Sequence, residues 1–189
     1  MKVYRIRADP AYLSLAASSG VGPGAGPLVF DGTPTEAEQV PLSALIGKPA
    51  LPPGDLCYVE QGAIAVAPHA YAMVGPFFEM AGEGLPLIIH GVEYILLNVL
   101  ECINCLDRTR SQWGSKQGGD GAAHLSRYVF HDKRFSESSI FKIPETCQGE
   151  VLVLDRYGDP ETDFSAAVEG FRLSGIVFEE IWASDINQN

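Results

Sequence analysis

Two cysteines three positions apart, Cys102 and Cys105, have the spacing in this chain that most readily suggests chemistry. A Cys-x-x-Cys step is used to bind a metal, to exchange a disulfide, or to fill a core with small side chains. On a strand, side chains three apart point to opposite faces, so these thiols would not meet. A redox pair needs a turn into a helix, and residues 106–114 form helix only weakly. Core packing is therefore favoured, with redox or metal chemistry as the alternatives.

Motifs for other catalysis and for cofactor binding are missing from the sequence. Cys57 and Cys147 are isolated, and the four histidines lack the spacing typical of zinc ligands. The sequence contains no nucleophile elbow, no His-Glu-x-x-His and no phosphate-binding loop. A Gly-x-Gly-x-x-Ala match at 20–25 cannot open a helix, because Pro23 and Pro27 interrupt it. The sequence therefore predicts no enzyme and no catalytic, cofactor-binding or metal-binding residue.

Short strand patterns, separated by turns, would have to position any functional residue. Residues 2–7 alternate with a period of two, and a His90-Gly91 step predicts a hairpin turn. The second strand of that hairpin is apolar on both faces, which predicts a central strand. Strands are predicted at 2–7, 56–66, 85–90, 92–105, 125–131, 138–144, 150–158 and 176–183.

Proline and glycine mark two predicted helices. Pro68 suits a helix start, and Gly75-Pro76 is expected to kink or split that helix. The second helix should occupy the segment 159–175, with Asp159 as its N-cap and Gly175 beyond its end. A turn of helix is also expected after Pro10.

These patterns together predict an α+β fold, a mostly antiparallel sheet with a few packed helices. The chain of 189 residues is expected to form a single domain or two closely packed lobes. Residues 1–55 would be an N-terminal strand and Gly/Pro-rich segment packed on a main domain, which residues 56–189 would form.

The net charge of −11 is concentrated in two segments. Residues 51–100 contain five acidic side chains and no Lys or Arg, whereas residues 151–189 contain eight acidic and two basic ones. If the segments meet, their field repels nucleic acid and membranes and attracts a basic partner. No apolar run approaches membrane-spanning length, and the N-terminus does not resemble a secretory signal, so we expect a cytoplasmic protein.

The C-terminal two thirds of the chain resembles a known family in its order of packing residues. The matching features are YILLNVLECINCLD, which ends in Asp107 with Ser111 after it, then IFKIP at 140–144, and LSGIVFEEIW, in which Gly175 precedes the last strand. Over residues 56–183 this order resembles the bacterial immunity proteins of polymorphic-toxin and type VI secretion systems. That family is immunity family eleven, formerly a domain of unknown function.

The resemblance implies a protein that binds and neutralises a cognate toxin in the cell that produces both. Such a protein needs a rigid surface rather than an active site, and its acidity would suit a toxin with a basic surface. The alternative is a thiol- or metal-dependent enzyme that uses the Cys102/Cys105 pair, for example to reverse a toxin's modification. Toxin contacts are predicted in the 108–123 loop and after the strand at 150–158, at Arg110, Trp113, Lys116, Asp120, Asp159, Glu161 and Asp163.

Overall fold

The structure is a computed structural model that describes residues 1–17, 30–34, 45–47, 51–60, 62–114, 124–146 and 149–184. Its strands pair mostly antiparallel and its helices pack on them, so the predicted α+β class is confirmed. Lys116, Asp120, Cys147 and the segment 20–25 lie outside the described residues. The elements in chain order are β1 (Lys2–Ala8), β2 (Leu15–Ala17), β3 (Leu45–Gly47), β4 (Leu56–Val59), β5 (Ala63–Val66), α1 (Pro68–Ala81), β6 (Gly82–Ile89), β7 (Val92–Val99), β8 (Gln112–Gly114), β9 (His124–Arg127), a 3-10 turn (Asp132–Arg134), β10 (Ile140–Phe141), a 3-10 turn (Pro144–Thr146), β11 (Leu152–Asp155), α2 (Phe164–Gly170) and β12 (Ile176–Ala183).

The N-terminal strand is an interior strand of a four-stranded sheet with the order β10-β11-β1-β12. β1 pairs antiparallel with β11 on one side and with β12 on the other. Its side chains alternate between faces, so Val3 joins one hydrophobic cluster and Ile6 another. The first strand of the chain is therefore integral to a sheet whose other strands come from the C-terminal region.

A second sheet has six strands in the order β3-β2-β4-β5-β7-β6, with β2 and β4 parallel. The predicted strand at 56–66 is two strands, β4 and β5, which a turn at Gly62 (φ 91°) joins into a hairpin. The predicted β6–β7 hairpin is confirmed, and its turn residues His90 and Gly91 both have positive φ. β7 is not the central strand predicted, because only β6 lies beyond it. It also ends at Val99 rather than at residue 105.

Each helix matches its prediction only in part. α1 is one helix of 14 residues and is not split at Pro76. Pro76 lies on the exposed side of α1, while Val74 and Phe78 are buried against the core and hold the helix together. α2 begins at Phe164 with Asp163 as its N-cap, so the predicted N-cap at Asp159 is wrong by four positions. Among the described helices, none is long and apolar enough to cross a membrane.

Three hydrophobic clusters give the molecule its layers. The first lies between the two large sheets and includes side chains from α1 and α2. The second covers the far side of the six-stranded sheet, where Leu13, Leu15 and Phe30 pack against it. The third covers the far side of the four-stranded sheet with the segments around Leu106 and Phe130. The two sheets therefore share one core.

The chain segment before β4 meets the α2–β12 connection at a close junction. The Asp55 carboxylate accepts hydrogen bonds from the Ser174 N–H and Oγ–H, both at 2.8 Å, and the Leu56 N–H donates to the Ser174 carbonyl at 2.9 Å. Gly175 has a φ of 103°, and a Cβ there would overlap the Leu56 carbonyl oxygen. Glycine is therefore required at position 175 for both conformation and space.

Candidate functional site

The two cysteines that suggested chemistry lie in an irregular segment beyond β7. Cys102 is exposed, whereas Cys105 is fully buried in the third cluster, and both thiols are free. Burial raises the pKa of the Cys105 thiol to about 12. Burial, together with the nearby Glu145 carboxylate, also raises the pKa of Cys102. A thiol with a raised pKa is a poor nucleophile at neutral pH, so neither cysteine has the activation that a redox pair requires.

The described residues contain no group of three or more His, Cys, Asp or Glu side chains arranged to hold a metal ion. The Asp55 carboxylate lies 2.7 Å from His69 Nε2, and the Asp107 carboxylate lies 4.0 Å from His131 Nδ1. Each of these pairs comprises only two candidate ligands. Both carboxylates also accept backbone hydrogen bonds, which gives them a structural role at their turns.

A buried lysine that the sequence did not single out anchors an N-terminal segment. The side chain of Lys142 is fully buried, and its Nζ donates a 2.7 Å hydrogen bond to the Phe30 carbonyl. Burial lowers the pKa of Lys142 to about 8, although the Asp31 charge opposes the shift. A second bond, from Asn98 Nδ2 to the Thr33 carbonyl at 2.9 Å, holds the same segment. Lys142 therefore fastens residues 30–34 to the core.

Basic residues of β1 pair with both glutamates of β12 in the acidic C-terminal segment. Arg5 forms ion pairs with Glu179 at 3.0 Å and with Glu150 at 2.9 Å. Its guanidinium lies 5.9 Å from the centroid of the Tyr128 ring, whose hydroxyl donates to Glu150. Arg7 also binds Glu179, and Lys2 binds Glu180. Although burial opposes the shift, the hydrogen bonds that Arg5 donates to both glutamates raise its pKa. The ion pairs of Lys2, Arg5 and Arg7 compensate the acidic side chains of β12 within their own sheet.

The predicted contacts of the 108–123 loop begin at a tight turn. Asp107 Oδ1 accepts hydrogen bonds from the Thr109 N–H, the Thr109 hydroxyl and the Arg110 N–H. This turn leads into the β8–β9 hairpin, in which Trp113 is 45% exposed and pairs with Leu125. Arg110 is exposed as well. Both side chains are available to a partner, as a contact role requires.

The other predicted contacts lie in the turn before α2, and one of them does not fit its prediction. Asp163 is fully buried, and its carboxylate accepts hydrogen bonds from the N–H groups of Arg156, Tyr157 and Asp159. These bonds hold the turn closed, so Asp163 cannot contact a toxin. Asp159 and Glu161 are exposed on the same turn. No hydrogen bond or ion pair between described residues connects this turn with Arg110 or Trp113.

A different part of the molecule combines acidic and apolar exposure. We refer to residues 51–100, which form β4, β5, α1, β6 and β7, as the acidic unit. Their five carboxylates are not matched by any Lys or Arg of the unit, and no described Lys or Arg forms an ion pair with Glu60, Glu79 or Glu93. Eight large apolar side chains are exposed in the described part of the chain, and four belong to this unit: Met73, Met80, Ile88 and Val92.

Within the acidic unit, the first turns of α1 and the distal half of the β6–β7 hairpin enclose a groove of 540 Å³. Pro68 and Tyr71 form its helix wall. The hairpin register places Pro86 beside Ile95 and Ile88 beside Glu93, on the face that α1 covers further along. We name this site the α1–hairpin groove. The sequence predicted the hairpin and the helix start, but not that they would enclose a groove, because that depends on how α1 lies across the sheet.

No protein-family model matches the chain, and no curated protein matches its sequence.

Proposed function

We propose that this protein binds a basic cognate toxin in the cell that produces both and neutralises it by occluding its active or substrate site. The observation that carries this proposal is the acidic unit, which combines carboxylates that form no ion pair with a described Lys or Arg, at Glu60, Glu79 and Glu93, with four exposed apolar side chains. Apolar contact supplies the affinity of a protein interface, and charge complementarity supplies speed and selectivity. A surface with both properties suits a protein partner of positive charge.

The resemblance of residues 56–183 to bacterial immunity proteins supports the same role. In that interpretation the carboxylates compete with an anionic substrate for the basic cleft of the toxin. The net charge of −11 extends the attraction beyond the contact itself, which accelerates association at low ionic strength.

The enzyme alternative receives less support from the geometry. A thiol- or metal-dependent reaction at Cys102 and Cys105 would require both side chains in one accessible place, but Cys105 is fully buried while Cys102 is exposed. The double substitution Cys102→Ser, Cys105→Ser tests it directly. If it abolishes protection against a toxin while the free energy of unfolding is unchanged, the chemical alternative replaces the binding proposal.

The first test is a pull-down from the native host, with the tagged protein as bait at two salt concentrations. We expect one basic protein to be captured, at roughly nanomolar affinity and with less recovery at the higher salt. The captured protein is then expressed alone and together with this chain. Growth arrest that co-expression relieves would support the proposal. Capture of abundant housekeeping proteins alone, or arrest that co-expression does not relieve, would overturn it.

A further inference from the structure

We infer that the α1–hairpin groove receives an apolar side chain of the partner, carried on a segment whose flanking Lys or Arg residues pair with Glu93. This inference rests on the proposed function and deepens it, because it names the contact surface and the chemistry that the surface recognises.

The two faces of the β6–β7 hairpin are covered very differently. Leu87 and Tyr94 point to one face and are almost fully buried in the second cluster. Their neighbours Ile88 and Glu93 point to the other face, where Ile88 is 42% exposed. α1 covers that face near the start of β6, where it packs on Leu97 and Val99, but it leaves the distal half of the hairpin face open. An apolar strip therefore remains uncovered beside a helix.

Most side chains that line the groove are apolar, although polar atoms also line it, and several of these residues are conformationally restricted. Pro68 and Pro86 have fixed backbone angles, and the Tyr71 ring is held against Gly75, where a Cβ would approach the ring at 3.1 Å. A volume of 540 Å³ is within the usual range of ligand pockets and accommodates one or two large side chains. The residues of the groove therefore lose little conformational entropy when a partner binds, which favours insertion of a leucine or an aromatic residue.

The charge of the groove determines which residues can flank the inserted side chain. Among the described residues that line the groove, Glu93 is the charged one, and it is exposed at the rim. The acidic unit around it contains no Lys or Arg. An acidic segment would therefore meet only repulsion, whereas a basic one gains an ion pair at the rim. A protein segment of the form basic–apolar–basic is the occupant that this chemistry favours.

The test uses the full chain and two synthetic peptides that share the core Leu-Phe-Leu. One peptide carries an arginine at each end of the core, and the other carries glutamates. Amide chemical shifts of the protein are followed by NMR during titration. We expect the arginine peptide to shift Tyr71, Ile88, Glu93 and Ile95 and the glutamate peptide to bind at least about fivefold more weakly.

Charge-reversed variants provide the matched control. Glu93→Lys should weaken binding of the arginine peptide about fivefold or more and strengthen binding of the glutamate peptide. Glu169→Lys makes the same change in net charge on the exposed surface of α2, outside the groove, and should leave both affinities nearly unchanged. Equal binding of the two peptides, shifts elsewhere on the protein, or equal effects of the two variants would overturn the inference.

The two proposals fail in distinguishable ways. If the wild-type chain neutralises a captured toxin and Glu93→Lys neutralises it equally well, the groove is not the contact site but the proposed function stands. If the arginine peptide binds in the groove and no toxin is neutralised, the recognition chemistry stands and the immunity function fails.

Discussion

At the scale of single residues, burial decides which reactive groups are structural. Cys105, Lys142 and Asp163 are side chains that often carry chemistry, yet all three are buried in this protein. Lys142 and Asp163 each hold a backbone segment by hydrogen bonds, and Cys105 fills core volume. The exposed groups, such as Glu93 and Trp113, are the ones that a partner can reach.

Lys142 should give the protein a distinctive dependence of stability on pH. Its pKa is about 8 in the folded state against an ordinary value of 10.5. Between these values the unfolded chain binds a proton that the folded protein does not, so the free energy of unfolding rises with pH there. We expect Lys142→Met to lose that rise, which is on the order of 3 kcal/mol. Below about pH 8 the difference in stability between the two proteins should be smallest, because the cost of burying the charged lysine then offsets its hydrogen bond to the Phe30 carbonyl.

Urea unfolding of both proteins from pH 7 to 10.5 measures this difference. Burial raises the pKa values of Cys105, Tyr94 and Tyr128, which lowers stability above about pH 9, but these groups act equally in both proteins and cancel in the comparison. A difference between the two proteins that stays constant across the range would contradict the buried-lysine account.

The two cysteines of the Cys-x-x-Cys step should respond differently to substitution and to labelling. In a background in which Cys147 is replaced by serine, we expect Cys105→Ser to cost about 1–3 kcal/mol, because it buries a hydroxyl. Cys102→Ser at the surface should change stability by less than about 0.5 kcal/mol. A thiol reagent should label Cys102 in the folded protein, and Cys57 and Cys105 only after unfolding. Rapid labelling of Cys105 in the native state would contradict its burial in the core.

At the scale of elements, the turns and junctions are held by few atoms. The hairpin turn at Gly91 and the α2–β12 junction at Gly175 both need positive φ, but only the junction is crowded. A Cβ at Gly91 would meet no atom within 4 Å, whereas one at Gly175 would overlap the Leu56 carbonyl. The two glycines therefore separate the cost of backbone strain from the cost of close packing.

Substitution at these two glycines makes a paired prediction. Gly91→Ala should cost about 1–2 kcal/mol, the penalty for an L-residue in the left-handed region. Gly175→Ala should cost about 3 kcal/mol or more, because the overlap also separates Ser174 from Asp55 and Leu56. Denaturant unfolding of both variants measures the two values, and similar losses would mean that the junction relaxes easily.

At the scale of the whole molecule, the two large sheets and both helices share one core, and the N-terminal strand belongs to it. β1 contributes Val3 and Ile6 to two hydrophobic clusters and compensates the carboxylates of β12. The sequence predicted a main domain of residues 56–189, yet the sheet that includes β11 and β12 is continuous only when β1 lies between them.

A fragment of residues 56–189 should therefore not fold alone. Without β1, β11 and β12 lose their shared neighbour and both clusters are opened to water. We expect no cooperative thermal transition for the fragment, and at least partial recovery when a separate fragment of residues 1–55 is added. Circular dichroism during heating measures both results. A cooperative transition for the fragment alone would show that residues 56–189 form an independent domain.

Sequence alone determined the class of the fold and several of its local elements. Alternation identified β1, and the His90-Gly91 step identified the β6–β7 hairpin, because these signals are contained within a few neighbouring residues. The same local reasoning misplaced the start of α2, because Asp159 and Asp163 are the same residue type and a local pattern does not distinguish them. In the structure the Asp163 carboxylate makes no cap hydrogen bond to α2 and accepts bonds from the N–H groups of Arg156 and Tyr157 instead.

The tertiary structure alone decided which charges are compensated and where an apolar surface is left open. The acidic segments looked alike in sequence, but β1 lies beside β12 and pairs with its glutamates, whereas no described cation pairs with Glu93. The α1–hairpin groove exists because α1 covers only part of the β6–β7 face. Both properties depend on contacts between residues far apart in the chain, which local patterns of side chains do not specify.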